Sequence, residues 1–287
     1  MKYPEFQQII DTMEANGYGY KKEVAEIERR RIGIEEGTLD IPLSEHVKAM
    51  IFSLLSDQRV WSDIELHKNE LDVIFEDDSL LTLDKPAGLL MHPSFYRDTG
   101  TLANRVLGYY QKTGQPCAVH PVSRLDRDTF GVVLLAKNAH IHAKMMEALQ
   151  AGAVQKTYEA LVYGTPAAPS GQWTFPIARK GGESLLREVR PDGQPAETRY
   201  AVLQQFERCS HLRLTPVTGR THQLRVHCAH IGCPILGDPQ YGTADSLALS
   251  REFGLPHQQL CAVSLTFSHP VTGASILITT RQAIFLP

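Results

Sequence analysis

From Leu71 onward, apolar residues come in short runs broken by turn-forming clusters, and this spacing limits the fold more than any other feature of the chain. Val73 to Phe75 and Leu80 to Leu83 are strand patterns, joined by Asp77-Asp78-Ser79 and closed by Pro86 and Gly88, which predicts a hairpin. Val132 to Ala136 predicts another strand, and "KTYEALVYG", starting at Lys156, a further one. "TRYAVLQQFER" and "SHLRLTPVTG" are separated only by a short link at Cys209-Ser210, so these two strands are expected to run antiparallel. A last hairpin is expected in "LCAVSLTFSHPVTGASILI" around Pro270 and Gly273. Helical periods are fewer: "TLANRVLGYYQKTG" ending at Gly114, Ala139 to Leu149 stopping near Gly152, and "RTHQLRVHCAHIG" from Arg220. Strands outnumber helices and are often hairpin-linked, which predicts an α+β fold on a mainly antiparallel mixed sheet.

The first 69 residues differ in period. Phe6, Ile9, Ile10 and Met13 share one helical face that stops at Gly17, and Ser44 can cap a second helix carrying Val47, Met50, Ile51, Leu54 and Leu55. A small helical region over 1–69 and a main domain over 70–287 is the expected division. The whole chain carries a net charge of -3, but residues 1–70 hold 9 basic against 14 acidic residues, and the remainder holds 20 against 18. An acidic front thus masks a mildly basic body, in which Arg179, Lys180, Arg187 and Arg190, or Arg220 with Arg225, could follow phosphates. Apolar runs are too short to span a membrane, and "MKYPEFQQII" lacks a secretory pattern, so a cytoplasmic protein without membrane contact is expected. Five cysteines without any C-x-x-C pair fit reduced thiols.

Three stretches could carry chemistry. In "SRLDRDTFG", Asp126 lies among Arg124 and Arg127, and opposite charge close by favours an ionised acid. If Leu125 turns into the core, Arg124 and Asp126 point elsewhere, and Gly131 lets the chain bend into the strand. Taken alone, the stretch favours a capped turn with a surface ion-pair network over a site. In the second, Thr218-Gly219 breaks a strand and is expected to start a helix with Arg220 in its first turn, where a cation is misplaced unless it meets an anion. Leu224, Cys228 and Ile231 form its apolar face, with His222 and Arg225 together on another. His222, His227, Cys228, His230 and Cys233 suggest zinc, but the first two histidines are five positions apart, about 140° around a helix, so they do not converge on one ion. In the third, Tyr158 shares a strand face with Lys156 and Ala160. Such a ring more often packs a sheet, though beside basic residues it can stack on an unpaired base.

Together and in this order, these stretches resemble the RluA-type pseudouridine synthases of ribosomal and transfer RNA. The likeness rests on "LLTLDKPAGLLMHPS", "RLDRDT" followed by Gly131 and "LLAKN", "KTYEALVYG", "TGRTHQLRVH" with "IGCPILGDPQYG", and "LTFSHPVTG". It implies a long, mainly antiparallel sheet with a central cleft, and an isomerase that detaches uracil from a uridine and rejoins it through C5. It also implies Asp126 as the catalytic nucleophile, Tyr158 stacked on the target uracil and a candidate base, Arg220 ion-paired with Asp126, and Leu224 packed near the base. Arg124 would help keep Asp126 anionic, and Lys85 and Arg225 are expected RNA contacts. RNA is the implied partner, the chain is expected to act as a monomer, and the chemistry requires neither metal nor organic cofactor. Ser123, Phe130 and Cys261 depart from the family pattern of His, Ser and His, which bears on loop packing and substrate preference. The rival reading is a non-catalytic RNA-binding or ribosome-assembly factor on the same fold; a metal-dependent hydrolase using the His/Cys cluster is a third.

Overall fold

A computed structural model describes residues 71–92, 100–115, 117–181 and 186–287. The expected helices before residue 70 lie outside the described residues. The chain divides into two compact units. One comprises 1–70, 93–99 and 107–118; the other comprises 71–92, 100–106 and 119–287 and holds the sheet.

In chain order the elements are β1 (Val73–Glu76), β2 (Leu80–Lys85), α1 (Leu102–Lys112), β3 (His120–Pro121), β4 (Phe130–Ala136), α2 (Ala139–Gln150) and β5 (Gln155–Tyr163). There follow β6 (Ser170–Trp173), β7 (Ile177–Arg179), β8 (Arg187–Val189), β9 (Thr198–Gln205), β10 (Cys209–Pro216) and α3 (Gln223–His230). The last are α4 (Ala244–Glu252), β11 (Leu260–Ser268) and β12 (Ser275–Thr279). Among the described residues the main sheet has ten strands, in the order β1-β2-β4-β11-β5-β10-β9-β6, with β12 on β11 and β3 on β4. Among the described strands only β4 and β11 pair in parallel, through Phe130 with Cys261 and Gly131 with Ala262. The α+β architecture with a mainly antiparallel sheet is therefore the one the strand spacing predicts. β7 and β8 form a separate two-stranded hairpin that the apolar pattern does not reveal, since its strands are three residues each. β6 and α4 are likewise unannounced.

The parallel contact is short because the two strands must part to admit β12, and it needs Gly131. At φ 104°, a Cβ on Gly131 would sit 2.3 Å from the Ala262 carbonyl oxygen. The side chains of β4 and β5 alternate, so the sheet buries both faces. Leu80, Val132, Leu134, Leu265, Phe267 and Ile278 pack with Ile141 and Met145 of α2. Ala160, Val162, Leu212 and Leu214 pack with Leu224 and Cys228 of α3, the stripe expected from the helical spacing. Leu161 of β5 faces the opposite way, into Phe130, Leu236, Leu249 and Cys261.

One expected boundary is corrected. α3 begins at Gln223 rather than in a first turn containing Arg220. The reason lies in two residues. His222 adopts a left-handed backbone (φ 58°, ψ 17°), which cannot continue a right-handed helix. The Gln223 amide then holds the preceding turn: its Oε1 accepts from the Arg220 N–H at 3.0 Å and the Thr218 hydroxyl at 2.7 Å, while its Nε2 donates to the Glu197 carbonyl and to Thr198 Oγ1.

Candidate active site

Asp126 lies in the loop that leads into β4, and the loop is fastened from below. Leu125 is buried, so its neighbours turn outward as the alternation predicts; the Asp126 side chain is 28% exposed. The Asp126 carbonyl accepts from the Thr129 N–H to close a turn, and Ser123 Oγ accepts from the Leu134 N–H at 3.0 Å. Beneath it, the Lys85 ammonium donates to the carbonyls of Pro86, Arg127 and Thr129 at 2.8 to 2.9 Å. Lys85 is fully buried at the end of β2, so the expectation that it touches RNA is corrected: its three N–H donors are taken by main chain. Burial lowers this amine to about 8, against the opposing pull of Asp128 and Asp126.

The cation on Asp126 is Arg225, not Arg220. Arg225 Nη1 donates to Asp126 Oδ2 at 3.0 Å. Its other side grips Asp238 in a two-pronged pair, Nε to Oδ2 at 2.7 Å and Nη2 to Oδ1 at 2.8 Å, and Nη2 also reaches Gln240 Oε1 at 2.6 Å. The Tyr241 ring lies 4.9 Å from the guanidinium carbon, within cation–π range. Burial works against the Arg225 charge, and the carboxylates of Asp238 and Asp126 more than offset it, so its pKa is raised. Arg220, in contrast, is exposed ahead of the helix with its Nε donating to the Pro195 carbonyl. The late start of α3 is what exchanges the two: Arg225 lies on the helix proper, and Arg220 in the turn before it.

Asp238 has no counterpart in the sequence reading. It is fully buried, and Oδ1 also accepts from the main-chain N–H groups of Gln240 and, at 3.3 Å, Tyr241, so the turn wraps around its carboxylate. A lone acid in the otherwise uncharged "ILGDPQYG" was the available signal, because a buried acid needs a cation.

Tyr158 packs against the cluster that contains Leu224. Burial first, then Asp126 and Cys261, push the Tyr158 phenol up, which keeps it neutral. Arg124 is exposed, and its charge bears on His92, whose pKa burial already lowers. Arg127 pairs with its neighbour Asp128 rather than with Asp126. Arg190 is engaged by Asp192 and Glu188. Of the histidines weighed as ligands, His227 places both ring nitrogens, at 3.0 Å from Thr198 Oγ1 and 2.9 Å from the Phe175 carbonyl. His222 instead faces Asp126, its Nε2 3.8 Å from Oδ2.

The Asp126 carboxylate is thus held by the buried Arg225, and the Tyr158 ring packs with the cluster that contains Leu224. Residues 79–230 match the family described as RNA pseudouridylate synthase. The chain belongs to that family. Among similar proteins is a ribosomal large subunit pseudouridine synthase D of Pseudomonas aeruginosa, 39% identical over 71% of this chain and 66% of its own length. An uncharacterized RNA pseudouridine synthase of Bacillus subtilis is 39% identical over 72% of this chain and 67% of its own. The chain thus spans about two thirds of the curated relatives it matches. The solved human RNA pseudouridylate synthase domain containing 1 shares the fold, with a TM-score of 0.61 at 23% identity over 74% of this chain and 84% of that one. Among the described residues, no helix is long and apolar enough to cross a membrane.

Proposed function

We propose that this protein is an RNA pseudouridine synthase, an isomerase that converts specific uridines to pseudouridine, with Asp126 as its nucleophile. The observation that carries the reading is the Asp126 carboxylate, partly open to solvent and oriented by an arginine that is itself locked by Asp238. Such a group can attack and later leave without reorganising its surroundings. The N1–C1′ bond breaks, the uracil turns, C5 bonds to C1′, and the C5 hydrogen is lost while N1 gains a proton; the RNA keeps its composition. Attack at C1′ or at C6 calls for the same carboxylate. Tyr158, kept neutral, would hold the uracil face rather than act as an anionic base, and Leu224 would pack beside it.

A uridine within a helix must be flipped out before Asp126 can reach it, with exposed cations such as Arg124 and Arg220 on the phosphates. Ribosomal RNA is the favoured substrate, because several relatives carry that target in their names; transfer RNA is the alternative. The enzyme would work as a monomer in the cytoplasm. The test is to incubate the protein with ribosomal and transfer RNA transcribed without modifications, digest to nucleosides and measure pseudouridine. Its appearance in one RNA class supports the reading and names the class. Its absence from both, on RNA that the protein binds, favours an RNA-binding assembly factor.

A further inference from the structure

His222 is the only residue other than glycine with a positive φ among the described residues. A left-handed backbone costs an L side chain about 1–2 kcal/mol, and such strain persists where surrounding contacts require it. The contact here is not a helix cap, because the His222 side chain makes no capping hydrogen bond. Its ring is turned into the site instead. Nδ1 is 2.7 Å from the Tyr241 hydroxyl, and that hydroxyl oxygen already accepts from the Arg187 main-chain N–H at 2.9 Å, at the start of β8. On the other side, Nε2 lies 3.8 Å from Asp126 Oδ2, beyond a direct hydrogen bond but within range of electrostatic attraction.

These contacts favour one tautomer. With the Tyr241 oxygen accepting from Arg187, its own O–H is available to donate to Nδ1. Protonated at Nε2, the ring then presents an N–H to the carboxylate; the opposite tautomer would set a lone pair against it. The charged and titratable groups around the ring are Asp126, Arg225, Arg187, Asp238 and Tyr241; burial, Arg225 and Arg187 disfavour an imidazolium, while Asp126 and Asp238 oppose them.

We propose that His222 and Tyr241 are positioning residues: Tyr241 fixes His222 as the Nε2–H form, and that N–H joins Arg225 in directing Asp126 through Oδ2, leaving Oδ1 to attack. This rests on Asp126 being the nucleophile. It also gives the β7–β8 hairpin a path to the site, since the Arg187 N–H is the far end of the chain Arg187–Tyr241–His222–Asp126.

Tyr241→Phe is the sharpest variant, because it keeps the ring against Arg225 and removes only the hydroxyl. His222→Asn is the second, since asparagine accepts the left-handed backbone but is too short to bridge Tyr241 and Asp126. Single-turnover rates on C5-tritiated RNA should fall about tenfold in each, with RNA affinity within about twofold of wild type, and the double variant should be no slower than the slower single. Histidine 15N NMR reads the tautomer without turnover: wild-type His222 should carry its proton on Nε2, and Tyr241→Phe should lose that preference. Unchanged rates, multiplying losses in the double variant, or a proton on Nδ1 in wild type would overturn the proposal. An absence of tritium release from wild type together with the expected tautomer would instead point to a failure of the proposed synthase activity, and would overturn the directing role with it.

Discussion

Two arginines five positions apart illustrate how a residue's task follows from its contacts. Arg225 holds Asp126 and a fully buried Asp238, so Arg225→Met would leave a buried carboxylate uncompensated and should cost about 3–5 kcal/mol of stability by denaturant unfolding, with loss of activity. Arg220 is exposed and bonds only a carbonyl, so Arg220→Gln should leave the single-turnover rate at saturating RNA within about twofold. Its effect should appear in RNA affinity, lowering the slope of log affinity against log salt by about 1. A large rate loss in Arg220→Gln would restore the pairing with Asp126 that the motif suggested. Lys85 makes a third case. Its Nζ resonance should titrate with a midpoint about 8, and a midpoint above 10 would contradict its burial. Because the folded pKa is below the ~10.4 of a free lysine, the folded chain binds fewer protons from about pH 8 to ~10.4, and this group's contribution to stability rises with pH across that window. The loop should nonetheless loosen there, since a neutral amine has two N–H groups for three carbonyls.

At the scale of elements, β4 is where the site meets the sheet, and Gly131 decides whether it can. Its positive φ and the 2.3 Å approach of the Ala262 carbonyl both exclude a Cβ, so Gly131→Ala should lower stability by about 2 kcal/mol or more and shift the Asp126 loop. An unfolding midpoint equal to wild type would show that β4 and β11 can separate freely. Much of this layer was legible in the sequence. The hairpin of β1 and β2, the long strands β5, β9 and β10, and helix α2 follow from apolar periods long enough to show. Leu125 inward with Asp126 outward follows from simple alternation. The start of α3 was not legible, because a histidine in a left-handed backbone looks like any helical residue, and three residues of displacement exchange the partners of Asp126. Nor were β7 and β8, whose six residues in total are too few to establish a period.

For the molecule as a whole, a net charge of -3 argues against RNA binding only if it is spread evenly, and the main part of the chain is on balance basic. The sheet places loops from distant parts of the sequence on one carboxylate: the Asp126 turn before β4, Tyr158 on β5, α3 with Arg225, and the turn that carries Asp238 and Tyr241. The Asp126 turn, Arg225 and the Asp238 turn are fastened by buried polar contacts rather than by surface ion pairs, as an attacking group needs if its orientation is to be set before substrate arrives. The most direct test of this account is release of tritium from C5-labelled, unmodified RNA by wild type and by Asp126→Asn, because joining C5 to the ribose must give up that hydrogen. Release by wild type and none above background by Asp126→Asn, on RNA both bind, is the predicted result. Equal release from the two would contradict it, and with it the role assigned to Asp126.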